Sequence, residues 1–228
     1  MLAETADALH RRFPDLAIST VFSISSPAGL LTEQSRMASM VVVGARGRGG
    51  FAGLLAGSVT TQVAAHACGP VIIVRGDGSS LSGRPVVVGI DGSAEGAAAL
   101  SFALEAADMR GAPLVAIHVW PALPMAGPDH VAPWHYDSGA AASDAETVLL
   151  EQLAGWQDKY PDIVVEPRAV HGFNPGQVLV AASREACLVV VGSRGRGGLA
   201  GMLLGSVSRT LVHHAASSVA VIHAESHR

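Results

Sequence analysis

Residues 189–207 read VVVGSRGRGGLAGMLLGSV, and residues 41–59 read VVVGARGRGGFAGLLAGSV. In both copies an apolar β-branched run ends in glycines set in one frame: a glycine, two residues, a glycine, nine residues, then Gly-Ser. The frame falls on Gly44, Gly47, Gly57 and Ser58 in the first copy and on Gly192, Gly195, Gly205 and Ser206 in the second, at an offset of 148 residues. Solenoid repeats run to roughly 20–50 residues, whereas a period this long can bury a complete core, so the repeated unit is a domain.

Outward from the second copy, β-branched runs alternate with Ala/Leu/Glu segments. Strands are expected over 86–90, 114–119, 163–170, 187–191 and 219–223. Helices are expected between them: one capped by Ser93 and running to 109, one over 143–160, one opened by Pro175 and reaching about 184, and one over 205–214. Apolar strands alternating with helices predict an α/β fold, a doubly wound parallel sheet covered on both faces.

The first copy has only 43 residues ahead of Gly44. The same reading gives helices over 2–13, 27–36 and 57–67 and strands over 17–22, 40–43 and 71–74, which repeats only the later part of the unit. Phe13-Pro14-Asp15 matches Tyr160-Pro161-Asp162 and fixes the alignment outside the glycines. The domains are therefore read as a partial unit over 1–75, lacking its first strand, first helix and second strand, a linker over 76–83, and a complete unit over 84–228.

The composition is aliphatic, 49% hydrophobic and 15% charged, as in a globular protein. No apolar stretch approaches the roughly 18 residues of a membrane span, and residues 1–15 are too polar for a signal peptide, so a cytoplasmic location without a membrane partner is expected. A net charge of −4 argues against a nucleic-acid partner. Lys159 is the sole lysine, and four arginines, Arg46, Arg48, Arg194 and Arg196, lie in the glycine loops. Cys68 and Cys187 sit beside or within apolar segments and read as reduced core residues.

A strand that ends in glycines and feeds a helix at Gly-Ser suits an anionic phosphate. Glycines let backbone N–H groups approach closely, the helix N-terminus carries unpaired N–H groups and partial positive charge, and Ser206 and Ser208 can add hydroxyl donors. A phosphate is expected at 205–207. The dipole contributes about 0.3–2 kcal/mol and micromolar binding needs about 8 kcal/mol, so a base pocket must contribute too. A Walker loop is excluded because neither loop holds a lysine. A dinucleotide fingerprint is excluded because no Asp or Glu lies between Cys187 and Ala224. No metal site is assigned: His213-His214 lacks partners at ligand spacing.

These residues resemble the universal stress proteins of the ATP-binding class, in tandem-domain form, whose signature is Gly-2x-Gly-9x-Gly-Ser/Thr. The opening segment RPVVVGIDGS, 84–93, looks like that family's first strand with its acidic turn. The resemblance implies a five-stranded parallel sheet of order 3-2-1-4-5, adenine-nucleotide α-hydrolase-like, with ATP, with or without Mg, at its switch point. It implies that Asp91 contacts the nucleoside, that the backbone at Val119 meets adenine, and that Gly192, Gly195, Gly205, Ser206 and Val207 contact ribose and phosphates. It also implies pairing through the last strand, 219–223, as a homo-oligomer or an internal pseudo-dimer.

The first copy has no counterpart of Asp91 or Val119. Its site, Gly44, Gly47, Gly57 and Ser58, is incomplete, and weak or no ATP binding is expected there unless another chain completes it. Because the missing strands are central in the 3-2-1-4-5 order, the remaining ones are not expected to pair as in the family. The Pro-rich connection 121–138, with Trp134 and Tyr136, has the length of a lid.

The function implied is a nucleotide-dependent regulatory, stress-response protein that presents its surface to a protein partner. No nucleophile with its base is encoded, so activity beyond slow ATP hydrolysis is not expected. Two rivals remain: an adenylating or ATP-hydrolysing enzyme of the wider superfamily, whose pyrophosphate loop would fall at IDGSAEG, and an interaction module that binds no nucleotide.

Overall fold

The computed structural model describes residues 2–46, 56–76, 83–121, 138–197 and 203–224. The N-terminal part contains α1 (Leu2–Arg12), α2 (Pro27–Gln34), β1 (Val41–Gly44), α3 (Ser58–His66) and β2 (Val71–Val74). The remainder contains β3 (Val86–Gly89), α4 (Ala94–Asp108), β4 (Leu114–Trp120), α5 (Ser138–Leu153), α6 (Trp156–Lys159), β5 (Val165–His171), α7 (Pro175–Ala182), β6 (Leu188–Gly192), α8 (Ser206–His214) and β7 (Ser218–Ile222).

Helix starts follow side-chain chemistry. Ser26 accepts from the Gly29 N–H at 3.1 Å, Ser93 from Gly96 at 3.0 Å and Asn174 from Gln177 at 3.2 Å, each satisfying one orphan donor of a first turn. Pro27 and Pro175 follow two of these caps, at positions where the missing N–H has no helical partner to lose.

All seven described strands form one sheet in the order β1-β2-β7-β6-β3-β4-β5. The five strands after residue 84 are mutually parallel, and β1 runs parallel to β2. The single antiparallel joint among the described strands is β2 against β7, with Val71 opposite Val221, Ile72 opposite Ala220 and Ile73 opposite Val219. Pro167 lies in β5, an edge strand paired with β4, where a residue without an N–H is tolerated.

Successive side chains point to opposite faces of a strand, and two buried layers result. On one face Val41, Ile73, Val87, Val189, Val219 and Val221 pack with Val63, Leu211 and Leu179 of the covering helices α3, α8 and α7. This layer crosses the β2–β7 joint without a break. On the other face Val86, Val88, Leu114, Leu188 and Val190 pack under α4 and α5. That cover stops short of β1: Val42 is 57% exposed, and α1 buries no residue.

Several expectations need correction. The sheet has seven strands, not five, because β1 and β2 extend it past β7. The last two strands of the partial unit do pair, with the register that β6 and β7 adopt; they neighbour each other, so the missing strands affect only the outer side of β1. Residues 17–22 form no strand. Their counterpart β5 pairs with β4, and among the described residues the first copy has no equivalent of β4 to supply a ladder. The helix expected over 143–160 begins earlier, at Ser138, and is broken at Gly155, whose φ of +80° starts a separate short helix, α6. Cys187 is buried, as expected of a core thiol, but Cys68 is exposed; it follows α3 in the turn that leads to β2. Most of the linker and of the connection 121–138, with Trp134 and Tyr136, lies outside the described residues. No described helix is long and apolar enough to cross a membrane.

Candidate functional site

The turn after β3 is organised by one carboxylate. Asp91 Oδ1 accepts from the Ser93 backbone N–H at 3.0 Å and from the Ser93 hydroxyl at 2.5 Å. That hydroxyl in turn caps α4. Gly92, between them, has φ of +74°, a conformation that side-chain-bearing residues rarely adopt. Asp91 Oδ2 accepts the backbone N–H of Arg196 at 3.0 Å, which ties the first turn of the complete unit to its glycine loop. From the neighbouring strand, His118 Nδ1 donates to the Ile90 carbonyl at 2.8 Å; a carbonyl only accepts, so the proton is on Nδ1.

The loop after β6 closes on a second hub. Ser193 donates its N–H to the Ile222 carbonyl at 2.7 Å, and its own carbonyl accepts from the Gly205 N–H at 2.7 Å and from the Ser208 hydroxyl at 2.8 Å. Gly205 is the N-cap of α8 and offers no side chain to it, so the first-turn N–H groups are left for solvent or a ligand. Ser208 is a correction. The residue is buried and its hydroxyl is spent on Ser193, as a buried hydroxyl must be, so it is not a ligand donor.

The glycines of the frame answer to contacts within the chain. A Cβ at Gly195 would collide with Asp91 Oδ2, and one at Gly192 would lie 2.7 Å from the Cβ of Glu95 and 2.9 Å from the Arg194 carbonyl. Loop and α4 can therefore approach only where no side chain intervenes.

These parts enclose a cavity of about 280 Å³ at the C-terminal ends of β3 and β6. Asp91, Val119, Gly192, Gly195, Gly205, Ser206 and Val207, the residues singled out in the sequence, all line it. Ile117, Leu179 and Val191 complete an apolar wall. Leu179 was not anticipated, although Gly89 signals it: a Cβ there would lie 2.8 Å from the Leu179 Cδ1. Glu95 was also missed. Its carboxylate pairs with Arg194, Oε1 to Nη2 3.1 Å, so Arg194 is neither simply solvated nor unengaged.

In the first copy the local fold is reproduced without the opposite wall. The Gly57 N–H donates to the Ala45 carbonyl at 2.9 Å and the Ala45 N–H to Val74 at 3.0 Å, as in the second loop. One bond differs: Thr60, the match of Ser208, donates its hydroxyl to the Gly44 carbonyl at 2.8 Å and not to Ala45; Ser58 opens α3 after Gly57, and Gly47 lies outside the described residues. The outer side of β1 has no strand beside it among the described residues, so nothing stands where β3 and Asp91 stand in the second copy.

His223, just past β7, reaches across to the first copy and donates from Nε2 to the Ala64 carbonyl at 3.0 Å. Burial pulls its pKa below the ordinary histidine value; the bond to Ala64 opposes this, Arg194 adds to it and Glu95 offsets it. Burial likewise pushes the Cys187 thiol up. Among the described residues no group of three His, Cys, Asp or Glu could hold a metal ion.

The profile of the universal stress protein family matches residues 2–75 and again 83–223. The chain is similar to a universal stress protein of Mycolicibacterium smegmatis, 41% identical over 212 residues that make up 91% of this chain and 69% of that one. It is also similar to one of Mycobacterium tuberculosis, 40% identical over 223 residues, 96% of this chain and 72% of that one. Among solved structures, a universal stress protein from Archaeoglobus fulgidus superposes with a TM-score of 0.63 at 23% identity, covering 99% of this chain and 80% of that one. At that identity the likeness speaks for the fold.

Proposed function

Since this chain belongs to the universal stress protein family, we propose that the cavity between β3 and β6 binds an adenine nucleotide, ATP with or without Mg, and that occupancy regulates what the protein presents to a partner. The observation that carries this reading is the convergence of seven residues, named from sequence, on one cavity where two parallel strands end beside the uncapped N-terminus of α8. Strand ends of open parallel sheets are where such ligands bind.

The parts suit a nucleotide in chemical terms. Ile117, Val119, Leu179 and Val191 offer the apolar slot that a base needs, and the backbone beside Val119 gives its edge a polar partner. Gly192 and Gly195 leave room for the ribose. The N–H groups at Ser206 and Val207, with the Ser206 hydroxyl, face the phosphates, and Gly205 brings the backbone close to them without a side chain. At about 280 Å³ the cavity lies near the lower end of small-molecule pockets, roughly 300 Å³. It therefore encloses the nucleoside, and the phosphate chain runs out along the loop.

In this reading the strands from Val86 to Ile222 form the complete 3-2-1-4-5 unit, and residues 1–75 are a partial repeat with an unfinished site. The proposal also takes β2 against β7 as an internal pseudo-dimer contact. Ser93 weighs against an adenylating enzyme, because its hydroxyl is committed to Asp91 and to the cap of α4.

The test is mass spectrometry of ligand released from purified, denatured protein, beside a Gly205→Val control and a titration with ATP. About one adenine nucleotide per chain, lost in the control, supports the reading; no nucleotide and no ATP binding leave an interaction module.

A further inference from the structure

We propose that Glu95 sets how much phosphate charge this cavity accepts, acting as a resident anion on Arg194. The inference rests on the nucleotide reading above and extends it to the ligand's charge. Glu95 sits in the first turn of α4, its side chain 17% exposed, while Arg194 is 51% exposed and lies 3.1 Å from it. The carboxylate is held in place by the backbone: the first turn of α4 lies so close to Gly192 that a Cβ there would meet the Glu95 backbone carbon at 3.0 Å. Arg194 is two residues past Gly192 and lines the cavity beside the N-terminus of α8.

Asp91, Arg194 and Arg196 line the cavity, and Glu95 joins them from behind through its pair with Arg194. Their formal charges cancel. Asp91 is occupied by the turn and the loop backbone and the Arg196 guanidinium packs beside Gly92, while Arg194 and Glu95 form the ion pair that a ligand can exchange. An incoming phosphate chain either takes Arg194 from Glu95 and leaves that carboxylate uncompensated beside it, or leaves the pair intact and lies near an acid whose cation it cannot use. Both routes oppose binding, and the opposition grows with the number of phosphate charges. A nucleoside without phosphate meets no such opposition. The first copy carries the matching Arg46, yet among the described residues no helix stands where α4 would supply an acid, so the pair is described for the second copy alone.

An acid in a first helical turn also stabilises that helix through its dipole. That role makes a different prediction: neutralising Glu95 would lower stability and leave the ranking of ligands unchanged.

The experiment is isothermal titration of the full chain with adenosine, AMP and ATP, for the wild type, Glu95→Gln, Glu95→Asp, and the double variant Glu95→Gln with Arg194→Gln. With Arg194 half exposed and screened by solvent, Glu95→Gln is expected to tighten ATP by about three- to ten-fold, AMP by about two-fold or less, and adenosine not at all. Glu95→Asp, which keeps the charge but shortens its reach, should give a smaller gain in the same order, and the double variant should lose it. An equal change for all three ligands, or weaker ATP binding in Glu95→Gln, overturns the proposal and leaves nucleotide binding standing. If no variant binds adenosine or ATP, the nucleotide reading itself fails and this one with it.

Discussion

Asp91 Oδ2 accepts the backbone N–H of Arg196 at 3.0 Å, a bond between residues 105 positions apart. The same carboxylate takes two donors from Ser93 through its other oxygen, so one side chain fixes the turn after β3 and the position of the glycine loop together. In sequence Asp-Gly-Ser reads both as a nucleoside contact and as a turn-and-cap sequence, but the tie to the glycine loop leaves no local sign.

Replacing this carboxylate by an amide tests both roles at once. In Asp91→Asn one of the three donors must face an NH₂ group, at a loss of about 1–3 kcal/mol. With roughly 2–4 °C per kcal/mol for a chain of this size, differential scanning fluorimetry should record a drop of several degrees, and ATP affinity should fall with it. A variant with unchanged melting and unchanged affinity would remove Asp91 from both roles.

The glycines should divide by what each one meets. Gly195→Ala drives a Cβ into Asp91, so ATP titration should show about a ten-fold loss, on the scale of one broken hydrogen bond to a charged group. Gly192→Ala presses on backbone at 2.9 and 3.0 Å and should lower the melting temperature most. Gly197→Ala, with nothing within 4 Å, serves as the silent control. Equal effects at all three positions would refute the steric account.

The lowered pKa of His223 makes stability depend on acidity. The unfolded histidine titrates near 6.5 and the folded one below it, so between these values the unfolded chain binds the additional proton and stability rises with pH. The contribution is complete above the unfolded value and is lost as pH falls through the folded one. Urea unfolding at about pH 7.5 and about pH 5.5 should show a loss that is smaller in His223→Gln, which keeps a donor for Ala64. His213, lowered mainly by burial, shifts in the same sense and accounts for a remainder. Identical pH dependence in both proteins would exclude His223 as the source.

One sheet and one continuous layer across the joint predict one unfolding event. Ile73, fully buried and opposite Val219, should cost about 2–5 kcal/mol when cut to alanine. Calorimetry should record a single transition that moves as a whole. Two transitions, only one of them shifted by Ile73→Ala, would mean that the halves fold separately.

What the sequence disclosed and what it withheld have separate physical causes. The strands from Val86 to Ile222 were legible because short β-branched runs between helices carry their own periodicity, and the cavity because its glycines repeat in a fixed frame. Residues 17–22 misled because their pattern is that of a strand, whereas a strand exists only if a ladder partner exists; Phe22 is left 83% exposed. Gly155 was a break inside a pattern that otherwise continued. Glu95 stayed hidden because its partner, Arg194, lies 99 residues away, and a pairing across strands β3 and β6 leaves no local trace. Ser208 misled in the opposite way: its hydroxyl is near the ligand site in sequence but points into the loop's own hub.

The antiparallel joint of β2 and β7 sets two like strand edges against each other. Between separate molecules such a contact would obey mass action and come apart on dilution. Here both edges belong to one polypeptide, so encounter between molecules is replaced by ring closure within one. Strand β6, which carries the glycine loop, lies directly beside β7. The scaffold of the cavity is therefore assembled once, by folding, and does not change with how much protein is present.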